Sequence, residues 1–388
     1  MHLNSRKKIK IGVVGPSWPF RGGIAKFTTQ LAENLARKGH LASFITPSRQ
    51  YPNWLFPGKT DRDEKACKKL RSLRPLYSYY QPWTWPKVIR DIEKSNVDCV
   101  VVPHWSLASA PFLSYLTRRT SKPIIPIVHN FVDHDSVIKS RRFTEWTLKK
   151  GSAYIHHNPE YFNLKFFKQR ADRVKCQLHP VSKANPVSQT KAKSKFNIPE
   201  GLTVFLFYGL IRPYKGLETL FEAVEFLSSK LPIAFLIAGE PWTKNYEIQK
   251  RIARLSEKFW VHSHLKWVPE EEAVYWFNAS DAVVCPYLKA TGSGVVAQAL
   301  SYKKPVLTTD TGSLKYVVNH GVNGLLCPPN SPKALAKNIE IFLEKKVQGQ
   351  LKMGSKSSRK QSWDEYVSGL IDLAESSKLR RENALTLN

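Results

Sequence analysis

Short, almost uninterrupted apolar runs recur along this chain, with helix-length amphipathic stretches between them. In the first half they are Lys10–Gly15, Leu41–Ile45, Cys99–Pro103, Ile124–Val128 and Ala153–Ile155; in the second, Val204–Tyr208, Ile233–Ala238, Ala282–Cys285, Pro305–Thr308 and Gly324–Leu326. A strand that is apolar along its whole length has to be covered on both faces, and intervening helices provide that cover for a parallel sheet. The stretches between the runs fit this role. Ile24, Phe27, Leu31 and Leu35 share one face and Lys38-Gly39 ends the pattern, while Leu217–Leu227 is a second such stretch. Between the two sets, His179–Glu200 carries Pro180, Pro186, several Ser and Lys and no sustained periodicity, the pattern of a linker. The expected fold class is therefore α/β: two doubly wound, parallel-sheet (Rossmann-like) lobes, residues 1–185 and 186–360, facing across a cleft with ligands at the strand carboxyl ends. Residues 361–388 are expected to form a C-terminal helix, amphipathic through Trp363, Tyr366, Leu370 and Leu373, that crosses back toward the N-terminal lobe.

At 388 residues and 42% hydrophobic the chain can bury two cores, which excludes a disordered protein or a disulfide-stapled miniprotein. Sixty Lys and Arg against 31 Asp and Glu give a formal charge of +29, favouring nucleic acid, an anionic bilayer or phosphorylated small molecules as partners. No recognition-helix, zinc-finger or RNA-binding signature accompanies that charge, so nucleic acid ranks last. The five cysteines are scattered without a CxxC, which excludes a zinc knuckle or redox pair. The basic N-terminus is followed by no signal-peptide core, and no apolar stretch approaches the ~18–20 residues of a membrane span. A cytoplasmic protein is expected.

Three loops carry the chemistry. Arg21-Gly22-Gly23 lies at a strand end and a helix start, where paired glycines and free N–H groups suit either a phosphate or a plain tight turn. Gly209-Leu210-Ile211-Arg212-Pro213-Tyr214-Lys215-Gly216 follows a strand and precedes a helix, placing two cations three residues apart where they can close on one diphosphate. The bland alternative is a pair of solvated charges, and as exposed loop groups both are expected to contribute little stability. Lys289–Gln298 contains Gly292-x-Gly294-x-x-Ala297 with Asp310 downstream, a literal match to a dinucleotide fingerprint. Pro286–Thr291 separates that glycine from its strand, so it is taken as another anion loop and not as an NAD site. His104-Trp105 and His129 end strands, and His134 follows; strand-end histidines can donate to sugar hydroxyls or move protons, or be structural. Asp61-x-Asp63 and Asp133-x-Asp135 mimic a D-x-D motif, but no metal is expected.

Gly209–Gly216, Ala238-Gly239-Glu240, Pro286-Tyr287, Gly292–Gln298, Lys304-Pro305-Val306 and Gly321-x-x-Gly324-Leu325-Leu326 together resemble glycosyltransferase family 4. Gly22-Gly23, a helix ending at Gly39-His40, and Val128-His129-Asn130 resemble that family's first lobe. The resemblance implies a GT-B fold and retaining, metal-independent transfer of a hexose-type sugar from a UDP- or GDP-linked donor, with no other cofactor. It implies that Arg212 and Lys215 hold the donor diphosphate and that His129 faces the donor sugar. Gly22, Gly23, Gly209, Glu240, Thr291, Ser293, Gly294, Val295 and Gln298 would line the donor site, and His104, Trp105 and His134 the acceptor side. The acceptor would be a glycan or lipid-linked glycan of cell-surface polysaccharide or glycoconjugate synthesis. The family's two glutamates, eight positions apart, correspond to Ala290 and Gln298, a departure that keeps a non-catalytic, nucleotide-binding scaffold as the alternative. The aromatic loops Tyr51–Pro57 and Tyr77–Trp85, with Trp54, Phe56, Tyr79, Tyr80, Trp83 and Trp85 among basic residues, suit sugar rings, an anionic membrane surface, or an ordinary core under long loops.

Overall fold

The computed structural model describes residues 8–50, 60–63, 73–132, 141–182, 184–185, 187–242, 245–357 and 361–386. The chain forms two compact units, Met1–Gln177 with Ser362–Asn388, and Leu178–Gln361.

The first unit runs β1 (Ile11–Val14), α1 (Gly23–Arg37), β2 (Leu41–Arg49), β3 (Leu73–Ser78), α2 (Trp85–Lys94), β4 (Cys99–His104), α3 (Ala110–Arg119), β5 (Ile124–Val128), α4 (Arg141–Leu148), β6 (Tyr154–His156), α5 (Lys165–Lys168) and β7 (Val174–Cys176). Its sheet has the order β3-β2-β1-β4-β5-β6-β7, every pair parallel. Because strand side chains alternate, Val13, Val101 and Ile127 enter one core with Phe27, Leu31 and Leu35 of α1, while Val14, Val100 and Val102 enter the opposite core with Val88, Ile92 and Leu113. Helix α1 stops where Gly39 takes φ 76°: the Gly39 N–H donates to Ala36 O and the His40 N–H to Leu35 O, closing the last turn.

The second unit runs α6 (Gln189–Lys195), β8 (Thr203–Tyr208), α7 (Leu217–Val224), β9 (Ile233–Ala238), α8 (Asn245–Lys258), β10 (Trp260–His264), α9 (Glu270–Ala279), β11 (Ala282–Cys285), α10 (Gly294–Ser301), β12 (Val306–Thr309), α11 (Leu314–Val317), β13 (Gly324–Cys327), α12 (Pro332–Leu343) and α13 (Lys345–Ser357). The order β10-β9-β8-β11-β12-β13 repeats the first sheet's topology without its seventh strand, again all parallel. The chain then returns to the first unit as α14 (Trp363–Thr386), whose Trp363, Tyr366, Val367 and Leu370 complete the core beside α1. Its start is a capping box: Ser362 Oγ accepts the Glu365 N–H at 3.1 Å, and the Glu365 carboxylate accepts the Ser362 N–H at 2.8 Å.

Two expectations need correction. The stretch expected to be a linker, 179–200, is part of the second unit and contains a helix. Ser188 caps α6 by accepting the Lys191 N–H, and Ala192, Phe196 and Ile198 are buried. The run is too short for periodicity to show, and its apolar residues only find their core through tertiary packing. The periodicity also missed β3, β7 and β10. All three are edge strands, paired on one side only, and half-exposed sequences such as Trp-Val-His-Ser-His do not make a continuous apolar run.

At the amino end of β11, Asp281 ties the second unit together. Its carboxylate accepts from the Val204 N–H (3.0 Å), Gln189 Nε2 (3.1 Å), Lys352 Nζ (2.9 Å) and Lys193 Nζ (3.3 Å). Burial pushes this carboxyl up, and Lys352, the Val204 N–H and Lys193 outweigh it, leaving the pKa below the usual range. Asp281→Asn is expected to cost on the order of 3 kcal/mol at neutral pH, because the buried partners lose their counter-charge. A depressed carboxyl pKa gives stability that is present above the unfolded value, about 3.9, and lost as pH falls through the folded value. Melting temperatures of wild type and variant should therefore converge on acidification; a gap constant with pH would refute the assignment.

Candidate active site

In a doubly wound sheet the chain's helices diverge to opposite faces where strand order reverses, leaving a crevice at the strand carboxyl ends. In the second unit that point lies between β8 and β11. The loops leaving these two strands are Gly209–Gly216 and Pro286–Ser293, the second and third of the loops singled out above.

Local structure holds them together. Pro213–Lys215 forms a 3-10 turn in which Lys215 N–H donates to Arg212 O. Gly216 closes it in the left-handed region, φ 69°, with its Cα pressed on the neighbouring loop. A Cβ there would lie 2.0 Å from Pro286 O, so a side chain would force the two loops apart. The Leu288 N–H donates to Tyr214 O at 2.7 Å, stitching the loops directly. On the other side, the Ile211 N–H donates to Glu240 O and the Trp242 N–H to Ile211 O, both 2.9 Å, so the segment after β9 is carried along with Arg212.

The two cations are held differently. The Arg212 guanidinium stacks 4.1 Å over the Trp242 ring. Lys215 is buried, 8% exposed, against the expectation of an exposed loop charge. Its Nζ lies against the Gly209 backbone and 5.8 Å from the Tyr287 ring centre, and Val295 packs against the same glycine. Burial pulls the Lys215 pKa down; Cys285 opposes this, the Arg212 charge adds a smaller downward push, and the value comes to about 8. An ammonium held this way is poorly solvated and gains strongly from an anion.

Helix α10 begins beside these groups. Ser293 caps it, accepting the Val296 N–H at 3.1 Å, and its hydroxyl donates to Tyr287 Oη at 3.4 Å. Gly294 is exposed at the first helical position, Thr291 is buried, and Gln298 is half-buried in the second turn. The Cys285-to-Gly294 spacing leaves no immediate strand-to-helix turn of the kind a dinucleotide fingerprint needs. Ala290 packs into the core. Lys304, part of the sequence resemblance, lies at the opposite edge, where its Nζ donates to Asn278 O and Ser280 O at the end of α9.

The first unit gathers another cluster at its own carboxyl edge. Gly22 and Gly23 open α1 with free space where Cβ atoms would be, and no side chain caps that helix. His129 follows β5; its N–H donates to His104 O, and its ring meets the edge of Phe27 at 4.7 Å. His104 is buried with Ser109 Oγ 3.3 Å from Nδ1, and burial lowers its pKa to about 4, so it is neutral at physiological pH. Trp105 is half-buried, edge-on to Tyr79 at 5.3 Å, and its carbonyl accepts from Asn130 Nδ2. The aromatic loop divides: Tyr77 and Trp85 are core residues, Trp83 is 73% exposed. His134, Asp133, Asp135 and Tyr51–Pro57 lie outside the described residues. Among the described residues no group of three His, Cys, Asp or Glu could hold a metal ion.

Sequence reasoning missed Trp242, Tyr287 as a ring beneath Lys215, and His157. The His157 ring lies 4.8 Å from that of His129, and its Nδ1 is 2.7 Å from Gln177 O. His156-His157 ends a strand as His104 and His129 do, so the same strand-end signal could have found it.

Two family models match: "Glycosyltransferase Family 4" over residues 21–176 and "Glycosyl transferases group 1" over 188–361. A D-inositol 3-phosphate glycosyltransferase of Pseudarthrobacter chlorophenolicus is 25% identical over 293 residues, 72% of this chain and 66% of that protein. The D-rhamnosyltransferase WbpZ of Pseudomonas aeruginosa is 22% identical over 285 residues, 72% of this chain and 67% of its own. The chain spans from about half to two thirds of the length of the first such relatives. Among solved structures, Anabaena HepE in complex with UDP and glucose superposes with TM-score 0.72 at 16% identity, covering 95% of this chain and all of that one. A Rickettsia africae glycosyltransferase gives 0.69 at 16%, covering 95% and 98%. These likenesses establish the GT-B class of fold.

The Lys215 pKa sets a pH test. The ammonium is charged below about 8 and neutral above it. Affinity for a diphosphate ligand, measured with UDP by calorimetry, should therefore fall as pH rises from 7 to 9.5, by up to about tenfold per unit once past the pKa. Lys215→Met should bind weakly with a flat profile. Identical profiles for the two proteins would remove Lys215 from the site.

Proposed function

The chain belongs to the family 4 glycosyltransferases, and from that premise we propose that it transfers a hexose-type sugar from a nucleoside diphosphate sugar, with retention, to a hydroxyl of a glycan or lipid-linked acceptor. In such a transfer the bond from the sugar's anomeric carbon to the β-phosphate oxygen breaks, a bond to the acceptor oxygen forms, and the acceptor's proton passes to the departing phosphate. Negative charge grows on that phosphate in the transition state, and stabilising it where it grows is the main catalytic demand. Arg212 and Lys215 are assigned this work, with no divalent metal required. The observation that carries the reading is the buried Lys215 ammonium at the β8–β11 switch point, three residues from Arg212 and beside the start of α10.

The remaining assignments rest on the family resemblance. The Ser293–Gly294 segment offers N–H groups at the positive end of α10. Gln298, whose amide both donates and accepts, reads donor or ribose hydroxyls where a charged carboxylate is missing. Glu240, Thr291, Val295 and Gly209 shape the donor pocket, and His129 faces the donor sugar. Gly22 and Gly23 let the donor phosphates approach backbone, while Trp105, His104 and His134 serve the acceptor. The UDP and UDP-glucose complexes of the Anabaena protein support a uridine donor. The inositol 3-phosphate glycosyltransferase relative supports a polyhydroxylated acceptor and the rhamnosyltransferase relative a hexose-type sugar, while a role in cell-surface glycoconjugate synthesis rests on the family resemblance.

A second reading, a nucleotide-binding scaffold without turnover, is favoured by Ala290 and Gln298 alone. Slow hydrolysis of a donor sugar separates the two: the enzyme releases nucleoside diphosphate, the scaffold binds and never turns over.

Arg212→Ala and Lys215→Met should each lower turnover by about 10- to 1,000-fold. Their stabilities should differ in a telling way. Lys215 has a folded pKa below its unfolded one, so burying its charged form costs stability in full below about pH 8, and the cost is relieved as pH rises. Lys215→Met should therefore melt at or above the wild-type temperature at pH 7 while being nearly inactive. Full activity in either variant would sink the assignment.

A further inference from the structure

Helices α3 and α4 pack side by side on the first unit and present a face that neither the fold nor the proposed transfer uses. Thr144, Thr147 and Leu148 anchor α4 inward. Its outer side carries Phe143 and Trp146, 41% and 50% exposed, stacked on each other with ring centres 5.7 Å apart. Arg118 of α3 lies 4.2 Å over the Trp146 ring and donates to Trp146 O, fixing that indole at the surface. Arg118 and Arg119 at the end of α3, Arg141 and Arg142 at the start of α4, and Lys149 and Lys150 just after it are all exposed. The acid on this face of α4, Glu145, is already paired with Arg141 at 3.0 Å. A held aromatic pair accompanied by exposed cations is costly to leave in water and has one complementary chemistry: an apolar layer under a sheet of negative charge.

We infer that this α3–α4 face docks the protein on an anionic phospholipid bilayer, with Phe143 and Trp146 seated at the headgroup–acyl boundary and the six cations on lipid phosphates. No described helix is long and apolar enough to cross a membrane, so the contact is with the surface. The excess of basic charge over the whole chain, +29, adds long-range attraction to the same leaflet. Docking is independent of which sugar the second unit binds, and its failure leaves the transfer reading untouched.

The test is co-sedimentation of the full chain with vesicles containing about one third phosphatidylglycerol in phosphatidylcholine, against pure phosphatidylcholine, at physiological ionic strength. Wild type should pellet with the anionic vesicles only, and release as salt rises. Each surface cation strengthens partitioning roughly five-fold, so Arg142→Glu/Lys149→Glu/Lys150→Glu should weaken it by about 100-fold or more. The gentler Lys149→Gln/Lys150→Gln should weaken it about 25-fold. Phe143→Ser/Trp146→Ser should weaken it at least about tenfold on the same vesicles. UDP affinity, measured alongside, should be unchanged and reports that the variants are folded. Equal binding to neutral and anionic vesicles overturns the inference, as does wild-type binding by the charge variants or by the aromatic variant. So does a wild-type dimer in sedimentation velocity that Phe143→Ser/Trp146→Ser dissociates, because the face would then belong to a second copy of the chain.

Discussion

Parallel pairing governs this protein. Parallel strands cannot be joined by hairpins, so each strand is followed by a crossover and every loop that leaves a strand emerges at one edge of its sheet. Both sheets obey this, and both reverse their order at the same place in the sequence of strands. The consequence in the second unit is that Gly209–Gly216 and Pro286–Ser293, some seventy positions apart in the chain, become neighbours tied by a backbone hydrogen bond. In the first unit the same rule gathers His104, His129 and His157 at one edge from three different strands.

The two edges of the second sheet divide the labour. At the amino edge, Asp281 sits among Lys193 and Lys352 with a backbone N–H, and Lys304 donates to two carbonyls at the end of α9. Charges there are satisfied, and they hold the unit together. Lys215 at the carboxyl edge is buried more deeply than Lys304, and its pKa falls to the same value, about 8. Its surroundings differ: a second cation, the Cys285 sulfur, an aromatic ring, a glycine backbone and a valine, with no carboxylate among them. A protein gains no stability from such an arrangement, which is the usual mark of a group kept for a ligand. The rigid clamp around it, from Gly216 against Pro286 to Arg212 on Trp242, keeps the two cations from relaxing apart.

Much of this was legible in the residues. Ile124–Val128, Ile233–Ala238 and Ala282–Cys285 are strands with the bounds their apolar runs suggest, because buried central strands carry an unbroken signal. Edge strands β3, β7 and β10 were not legible, since most of their residues are at least partly exposed, whereas β13, also an edge strand, is largely buried and its run could be read. Helix α6 was hidden for a related reason: four buried or capping residues in a Lys-rich stretch acquire meaning only against the core they touch. In the site, the loop residues were evident from glycine and charge, and His157 carries the same strand-end signal as His104 and His129, whereas Trp242 and Tyr287 were not evident. Aromatic residues are ordinary core components, and nothing local marks the ones that end up beside a cation.

By itself, then, the sequence determined the alternation of strand and helix, the parallel class of both sheets and the chemistry carried by each strand-end loop, because these depend on residues a few positions apart. Tertiary structure alone decided which loops meet, that the Lys215 ammonium is buried while Arg212 lies on an indole, and that the returning helix α14 packs beside α1. Those outcomes rest on contacts between distant segments, whose energies come from burial and shape, and local periodicity holds no record of them.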